Sequence, residues 1–498
     1  MRGMSRKPPR AFRAIPLVAL LALALLPAAR AAASASQLTI VQDDKELVSA
    51  GSAHRGVRLD ELKALGVDVV KIRIDWRGVA PSPRSKNKPQ GFSGEDSREY
   101  QAGIWANYDA ALRAIVQRGL RPYVLLGGAS PDWGGGKNGR GGRPDAGEFR
   151  RFVQAVGSRY SGTFSPSAMD PLNTLPRVDI WSDWNEADLK GWITPQYKNG
   201  RPESPKIYRK LVYAAHDALT ASGHGGDELL IGELLPFARS GHTDNKIRPL
   251  EFLRELACVD SRYHAFTGQA AKDRGCTNFK PLPGTGVAHH PYTLSGGPDV
   301  GNSNRDDVSI GELGRMLQVL DKLSQRHRLE SNRMPVWVSE FGFQTNPPDR
   351  YAADIKRVPG FLGQSEWLTY RNPRVASYAQ YPMVDDRIHG GSFQSGIRTS
   401  NGKKKPGVYD AFRFPLFVQR RSDKVVEVFG GVRAGAPGEK VTIESRLHGG
   451  QYKKLSGGTV QLGAQGYFDR VFTVSNATQR QYRFRYSGSK SRGANVHG

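Results

Sequence analysis

The strongest constraint on the fold is a regular alternation of apolar runs with amphipathic stretches. Apolar residues recur every three or four positions in segments such as 105–118, 148–159, 207–221 and 310–326, which predicts helices between the runs. Strands that alternate with helices predict parallel βαβ units, and eight such units favour a (β/α)8 barrel over an open sheet. The predicted strands are 38–42, 67–76, 121–127, 178–184, 229–234, 286–292, 336–341 and 375–381.

The pattern changes after Pro415. Short alternating runs at 425–429, 440–445, 459–462, 467–474 and 481–486 are separated by Gly-rich turns, with no helical pattern between them. Such runs are typical of a small all-β sandwich. We therefore predict a barrel domain at 36–415, a β-sandwich at 416–487 and a flexible tail at 488–498.

The first 35 residues have the order of a secretory signal peptide. Basic residues come first, a twelve-residue apolar run covers 15–26, and an Ala-Ser-Ala triplet follows at 33–35. The run is shorter than the roughly 20 apolar residues that a spanning helix needs. We predict cleavage of residues 1–35, a secreted product and no membrane attachment afterwards. Cys258 and Cys276 then lie in an oxidising compartment, where a disulfide is favoured over a metal site or two free thiols.

The charge balance is strongly basic. The chain has 72 basic and 47 acidic residues, and loss of six basic and no acidic residues with the signal peptide lowers the net charge from +25 to +19. Such a charge raises nucleic acid or another polyanion as a partner. The sequence has no zinc-finger or helix-turn-helix motif, no metal-ligand cluster and no phosphate-binding Gly-rich loop. We expect no cofactor, no metal, no nucleic-acid partner and a monomer.

Two predicted strands end in glutamate. The fourth ends in the sequence VDIWSDWNEAD, which contains Asn185 and Glu186, and the seventh ends in VWVSEFGF, which contains Glu340. Glutamate is a poor strand residue and is costly to bury. The carboxyl ends of barrel strands form the active face of this architecture, so we expect both carboxyls at one barrel mouth. Two carboxyls about 5 to 5.5 Å apart are the machinery of a retaining glycosidase.

These motifs resemble the clan A glycoside hydrolases, including the cellulase-like families 5 and 39. The resemblance rests on the Trp-x-x-Trp-Asn-Glu segment that ends at Glu186, the Trp-Val-Ser-Glu-Phe-Gly segment around Glu340, and His289-His290-Pro291-Tyr292 on strand six. It covers about residues 38–415. It implies that Glu186 is the general acid/base and that Glu340 is the nucleophile of a double displacement.

The resemblance also implies roles for supporting residues. Arg73 corresponds to the arginine beside the nucleophile, Tyr292 to the tyrosine that hydrogen-bonds it, and Asn185 to the residue that binds the sugar 2-hydroxyl. His290 completes a His-x-Tyr pattern of family 5. For Arg73 and His290 a purely structural role inside the barrel stays open.

Aromatic residues are candidates for contacts with sugar faces. They are Trp76, Trp133 and Trp184, with Trp133 favoured because it lies in a Gly-rich loop. Tyr381 ends strand eight where many members of the clan have a tryptophan beneath the sugar, and this departure leaves the sugar specificity open.

Three hypotheses for function follow. The first is a secreted retaining hydrolase of a polysaccharide or glycoside, and the second is a barrel that only binds a polysaccharide or cell wall. The third is a binder of nucleic acid or another polyanion, motivated by the charge. The substrate of the first is a carbohydrate, with an anionic glycan as one alternative that the charge of +19 raises.

Overall fold

Eight parallel strands close into a barrel in the computed structural model, which describes Ser34 and residues 36–139, 141–238, 245–293, 296–388, 392–447 and 449–498. Each strand pairs with its neighbours in sequence, and the last pairs with the first. This confirms the predicted (β/α)8 barrel. Apart from Ser34, the predicted signal peptide lies outside the described residues. The strands are β1 (Leu38–Gln42), β2 (Val69–Asp75), β3 (Arg121–Gly127), β4 (Ile180–Asp183), β5 (Glu228–Leu234), β6 (Gly286–His289), β7 (Val336–Val338) and β8 (Val375–Gln380).

Helices connect the strands and cover the barrel with apolar faces. In α5, for example, the N-cap Asp145 accepts a hydrogen bond from the Glu148 amide, and Phe149, Phe152 and Val153 are buried against the barrel. Within the described residues, no helix is both long enough and apolar enough to span a membrane. The helices are α1 (Asp44–Leu47), α2 (Ser52–Ala64), α3 (Trp76–Val79), α4 (Ala106–Gln117), α5 (Ala146–Arg159), α6 (Ser204–Ala221), α7 (Pro249–Leu256), α8 (Gly268–Arg274), α9 (Leu313–Gln325), α10 (Val358–Tyr370) and α11 (Val408–Arg413).

The interior of the barrel contains a polar cluster. Branched apolar side chains dominate the interior of most barrels of this type. Here Lys71 of β2, Tyr123 of β3, Ser182 of β4, Glu233 of β5 and Ser339 after β7 meet in the interior and are all buried. Buried polar groups are costly unless they bind one another, so this layer must form a connected hydrogen-bond network.

Two antiparallel sheets follow the barrel and share one apolar core, which confirms the predicted β-sandwich. One sheet has the order β9–β10–β13, and the other has the order β12–β11–β14–β15, with β16 also paired to β14. The strands are β9 (Leu416–Ser422), β10 (Val425–Gly431), β11 (Lys440–Leu447), β12 (Lys453–Gln461), β13 (Tyr467–Thr473), β14 (Arg480–Tyr486), β15 (Ser489–Lys490) and β16 (Ala494–Asn495).

The last eleven residues differ from the flexible tail that the sequence predicts. Ser489–Lys490 and Ala494–Asn495 pair with β14, and the His497 amide donates to the Val418 carbonyl. These hydrogen bonds use backbone groups, so the polar side chains of the segment gave no apolar pattern from which to predict them.

The two cysteines form a disulfide. Cys258 follows α7 and Cys276 follows α8, and their Cα atoms are 5.7 Å apart. Both half-cystines are buried against Phe266 and Phe279. The disulfide therefore links two helices on the outside of the barrel.

Candidate active site

Glu186 lies in a tight turn directly after β4. Trp184 and Glu186 have positive φ angles, which few side chains other than glycine adopt. Two backbone hydrogen bonds hold the turn, from the Trp184 amide to Leu126 O at 2.7 Å and from the Glu186 amide to Glu233 O at 3.0 Å. Asn185 between them is buried. The neighbouring strands thus fix where the Glu186 carboxyl lies.

The Glu186 carboxylate has a partner on each oxygen. Trp192 Nε1 donates to Oε2 at 3.1 Å, and His290 Nδ1 lies 3.1 Å from Oε1. The side chain is 16% exposed. It is therefore held in one orientation while one side remains open to solvent.

Glu340 lies two residues after the end of β7 and is more deeply buried. Tyr292 Oη donates to Oε2 at 3.3 Å, Lys71 Nζ lies 3.7 Å from Oε1, and His290 Nδ1 lies 3.7 Å from Oε2. Burial raises the pKa of Glu340, while His290 and Lys71 act in the opposite direction. Its ionised form, which a nucleophile needs, therefore depends on these two cations.

One imidazole nitrogen brackets the two carboxylates. Because His290 Nδ1 is 3.1 Å from a Glu186 oxygen and 3.7 Å from a Glu340 oxygen, these oxygens can be no further apart than the sum of the two distances. That limit is compatible with the carboxyl spacing of about 5 to 5.5 Å in retaining glycosidases.

Glu233 of β5 is a site residue that the sequence patterns did not single out. It is fully buried and accepts hydrogen bonds from five side chains. Its Oε1 accepts from Tyr123 and Ser182, and its Oε2 accepts from Lys71, His290 and Ser339, all between 2.5 and 2.8 Å. Burial alone would raise the pKa of Glu233, but Lys71 and His290 hold it well below its usual range.

A bulge in β5 explains how Glu233 reaches the interior. The register between β5 and β6 shifts between Gly232 and Leu234, and both Gly232 and Glu233 have positive φ. A β-bulge of this kind re-aims a side chain relative to regular alternation. The sequence contains one signal for Glu233, namely a glutamate inside an otherwise apolar run, and the same signal marks Lys71 in β2.

His290 links the three glutamates and is completely buried. Burial opposes a charge on the imidazole, but Glu340, Glu186 and Glu233 together raise the pKa of His290 to about 10. Its neighbour His289 differs, because burial lowers the pKa of His289 to about 4 and its Nε2 lies 2.8 Å from the Val308 carbonyl. His289 is a core histidine, and His290 belongs to the carboxylate cluster.

Arg73 lies at the mouth, but another residue makes the close contact with Glu340. The Arg73 guanidinium lies 5.5 Å from the centre of the Trp192 ring, and its charge also acts on Tyr381 and Glu340 at longer range. The cation nearest to Glu340 is instead Lys71, two residues earlier on the same face of β2. The arginine role implied by the resemblance is thus met at close range by a lysine.

The aromatic candidates divide into buried and accessible residues. Trp76 and Trp184 are buried and pack against each other and Phe149, so the prediction that they contact sugars is wrong. Trp133 is half-buried, with Nε1 donating to Pro81 O and its ring edge-on to Trp76.

Tyr381 and Trp192 are two further partly exposed aromatic residues beside the carboxylates. The Tyr381 amide donates to Phe341 O, and burial together with the charge of Glu340 raises the pKa of Tyr381. Trp192, which the sequence analysis passed over, lies in the loop after β4 and bonds Glu186. Both can contact a ligand at the mouth.

Within the part of the chain that the structure describes, no three His, Cys, Asp or Glu side chains are arranged to hold a metal ion.

Several solved glycoside hydrolases are similar to this chain in structure. A glucosidase from Croceicoccus marinus is 12% identical, with coverage of 86% of this chain and 82% of that one and a TM-score of 0.47. A GH5_18 protein from Streptomyces cattleya, solved in complex with Manβ1-4GlcNAc, is 15% identical, with coverage of 75% and 78% and a TM-score of 0.48. A GH5_18 protein from Bifidobacterium longum subsp. infantis is 12% identical, with coverage of 76% and 77% and a TM-score of 0.37.

No protein-family model matches the chain, and no curated protein matches it either.

Proposed function

We propose that this protein is a secreted glycoside hydrolase that cleaves O-glycosidic bonds with retention of configuration. The observation that carries the proposal is the pair Glu186 and Glu340, which follow β4 and β7 of one barrel and share the His290 imidazole. Two carboxyls that one imidazole nitrogen approaches in this way are close enough for one to attack an anomeric carbon while the other protonates the leaving oxygen.

In the first step, Glu340 attacks the anomeric carbon. A bond forms between a Glu340 oxygen and that carbon while the glycosidic C–O bond breaks, and Glu186 donates a proton to the leaving oxygen. Tyr292 and Lys71 hold the Glu340 carboxylate through the contacts at 3.3 and 3.7 Å. The product of this step is a glycosyl ester on Glu340.

In the second step, water replaces the enzyme at the anomeric carbon. Glu186, now ionised, removes a proton from the water as the water oxygen bonds the carbon and the ester bond to Glu340 breaks. This returns Glu186 to its protonated form and Glu340 to its carboxylate. The buried Asn185 next to Glu186 is the candidate donor to the sugar 2-hydroxyl, a contact that strengthens in the transition state.

Charge balance supports one proton shared by the two carboxyls. Lys71 and a charged His290 face Glu233, Glu186 and Glu340. Among the groups in direct contact, two cations therefore face three carboxyl groups, and Arg73 adds a positive charge at longer range. The double displacement needs one proton on the Glu186–Glu340 pair at the start, and two carboxyls this close disfavour ionisation of both.

The alternative, a barrel that only binds a polysaccharide, fits the same mouth but not its buried ions. Fully buried charges are costly, and binding sites for neutral sugars do not require them.

The disulfide between Cys258 and Cys276 is compatible with export.

The product's anomeric configuration tests the proposal. The purified protein is screened on aryl glycosides and oligosaccharides, and proton NMR of the first product identifies its anomer. Retention supports double displacement, inversion contradicts it, and binding without turnover favours the non-catalytic alternative. Glu228→Gln is the control for any Glu186 or Glu340 variant in this assay. Glu228 starts β5 at the opposite end of the barrel and accepts a hydrogen bond from Thr285.

A further inference from the structure

His290 lies between carboxylate oxygens on both sides of its ring. Nε2 is 2.6 Å from Glu233 Oε2, and Nδ1 is 3.1 Å from Glu186 Oε1. A neutral imidazole has only one N–H, so if Nε2 donates to Glu233, Nδ1 would present a lone pair to both Glu186 and Glu340, and only a Glu186 proton directed at His290 rather than at the substrate could bond it. The doubly protonated ring donates on both sides, and this geometry therefore favours the imidazolium.

Glu233 is built to stay ionised. The five side chains that surround it each present an N–H or O–H, and they come from β2, β3, β4, the residue after β6 and the residue after β7. A carboxylate with this many donors is favoured over a carboxylic acid, which would need an acceptor for its own proton. The barrel therefore fixes one negative charge directly beneath His290.

The other titratable groups around Glu233 and His290 do not replace this charge. Burial raises the pKa of Asp183 and of Asp188 well above the usual range, and burial likewise raises the pKa of Tyr123, Tyr208 and Tyr292. Burial thus disfavours the charged form of each of these groups, and it also disfavours a charge on His289. The charged groups that face His290 are thus Glu233, Glu186 and Glu340, with Lys71 beside Glu233.

We propose that Glu233 is a positioning residue that holds His290 doubly protonated between the Glu186 and Glu340 carboxylates. This proposal rests on the function proposed above, because the imidazolium acts on Glu340 as the nucleophile and on Glu186 as the acid/base. A permanent cation at Nδ1 keeps Glu340 ionised for attack and orients Glu186 through Oε1. Glu233 itself touches neither the substrate nor the reacting atoms.

Replacement of Glu233 by glutamine removes the charge at nearly constant volume. Without that counterion the pKa of His290 falls from about 10, and the imidazolium is lost as the pH rises through the lowered value. The ratio of variant to wild-type kcat is therefore expected to fall at least about tenfold between pH 5.5 and pH 8.5, because each unit above a pKa reduces the protonated form about tenfold. A ratio that is constant over this range in a folded variant overturns the proposal.

Ser182→Ala is the matched control within the same network. It removes one hydrogen bond to Glu233 Oε1 and no charge. Any loss of kcat in this variant should be the same at every pH, whereas a ratio that falls with pH as in Glu233→Gln would assign the effect to packing and overturn the proposal.

A spectroscopic measurement on the wild-type protein decides the question even if Glu233→Gln does not fold. The full chain is labelled with 15N-histidine, and the His290 signals are assigned by their loss in His290→Gln. We expect both ring nitrogens to have imidazolium shifts at pH 8, and a neutral ring at that pH overturns the proposal. This readout needs no substrate, so it is independent of the glycosidase assignment, which fails separately if Glu340→Gln retains activity.

Discussion

Two fully buried glutamates of this protein form ion pairs in different surroundings. Glu233 pairs with Lys71 inside the barrel, and Glu366 of α10 pairs with Arg433 of the C-terminal region at 2.8 Å and accepts from Tyr467 Oη at 2.5 Å. Arg433 also donates to Phe412 O at 2.6 Å, and both Glu366 and Arg433 are buried. The two pairs thus look alike when burial and distance alone are compared.

They differ in what lies beyond the pair. The Glu366 cluster is closed, because Glu366 and Arg433 pair with each other and Tyr467, which bonds Glu366, packs with Trp367, Phe417 and Phe429. The Glu233 cluster continues through His290 to Glu186 and Glu340, whose carboxyls reach the mouth. Burial and pairing are thus common to both clusters, and the extension to partly exposed carboxylates at strand ends distinguishes the Glu233 cluster.

The largest expected effect is on turnover in Glu340→Gln. Removal of the nucleophile's charge at nearly constant volume should lower kcat by several orders of magnitude, while the melting temperature stays within a few degrees of wild type. Steady-state kinetics and calorimetry on the same preparation measure both. Near-normal kcat in the folded variant would contradict the assignment of Glu340.

The effect of Glu186→Ala should depend on the leaving group. Glycosides with poor leaving groups need protonation, so kcat should fall by about 10² to 10⁴, while activated aryl glycosides should form the glycosyl-enzyme almost normally. Azide can enter the vacated side and should restore turnover as a glycosyl azide. Equal losses on both substrate classes, with no azide product, would remove Glu186 from the acid/base role.

Glu366→Gln should lower stability and leave turnover unchanged. It leaves the Arg433 charge buried without a partner, which typically costs about 3 to 5 kcal/mol of unfolding free energy. Below the lowered melting temperature, kcat and its pH profile should match wild type, because no catalytic group is near. Denaturant unfolding and kinetics at about 20 °C measure the two effects. A pH-dependent loss of kcat would show that the Glu366 cluster is coupled to the mouth.

The sequence predicted the parts of this site that follow regular strands. The eight predicted runs lie within a few residues of β1 to β8, and Glu186, Glu340, His290 and Tyr292 meet at one mouth because strand ends share one edge of a barrel. The motif spacing carried enough information for these residues, since each side chain is placed by the end of its own strand.

The other residues of the site depend on bulges, loops and depth in the barrel, which the alternation of apolar and polar residues does not indicate. Glu233 turns inward at a bulge, and Trp192 returns to Glu186 from a loop. Lys71 was passed over for Arg73, two residues later on the same face, because the pattern gives the face and not the depth in the barrel. Trp76 and Trp184 at strand ends look exposed in sequence but pack under α5.

Trp192→Phe should lower kcat/KM, but by less than Glu340→Gln and Glu186→Ala lower turnover. It keeps an aromatic face beside Arg73 but loses the N–H that holds Glu186 Oε2 at 3.1 Å. One hydrogen bond to a charged group contributes about 1.5 to 3 kcal/mol, so kcat/KM should fall by about tenfold to a hundredfold. Trp133→Phe is the control, since its N–H bonds Pro81 O and not a carboxylate, and equal losses would place no special role on Trp192.

The smallest expected effect is that of salt on kcat/KM. Residues 416–498 contain 14 basic and five acidic residues, which is nearly half of the excess charge that would remain after the predicted loss of residues 1–35. Around the carboxylates, Lys71 and His290 are paired with glutamates, and the partly exposed Arg73 has Asp44 and Asp75 as its main electrostatic partners. Electrostatic steering of an anionic glycan into the mouth should then be weak.

Between about 10 mM and about 300 mM salt, where the Debye length falls from about 30 Å to under 10 Å, kcat/KM should change less than about threefold on matched anionic and neutral oligosaccharides. A tenfold loss confined to the anionic substrate, reduced in Arg73→Met, would instead make the anionic glycan the preferred substrate and Arg73 its recognition residue.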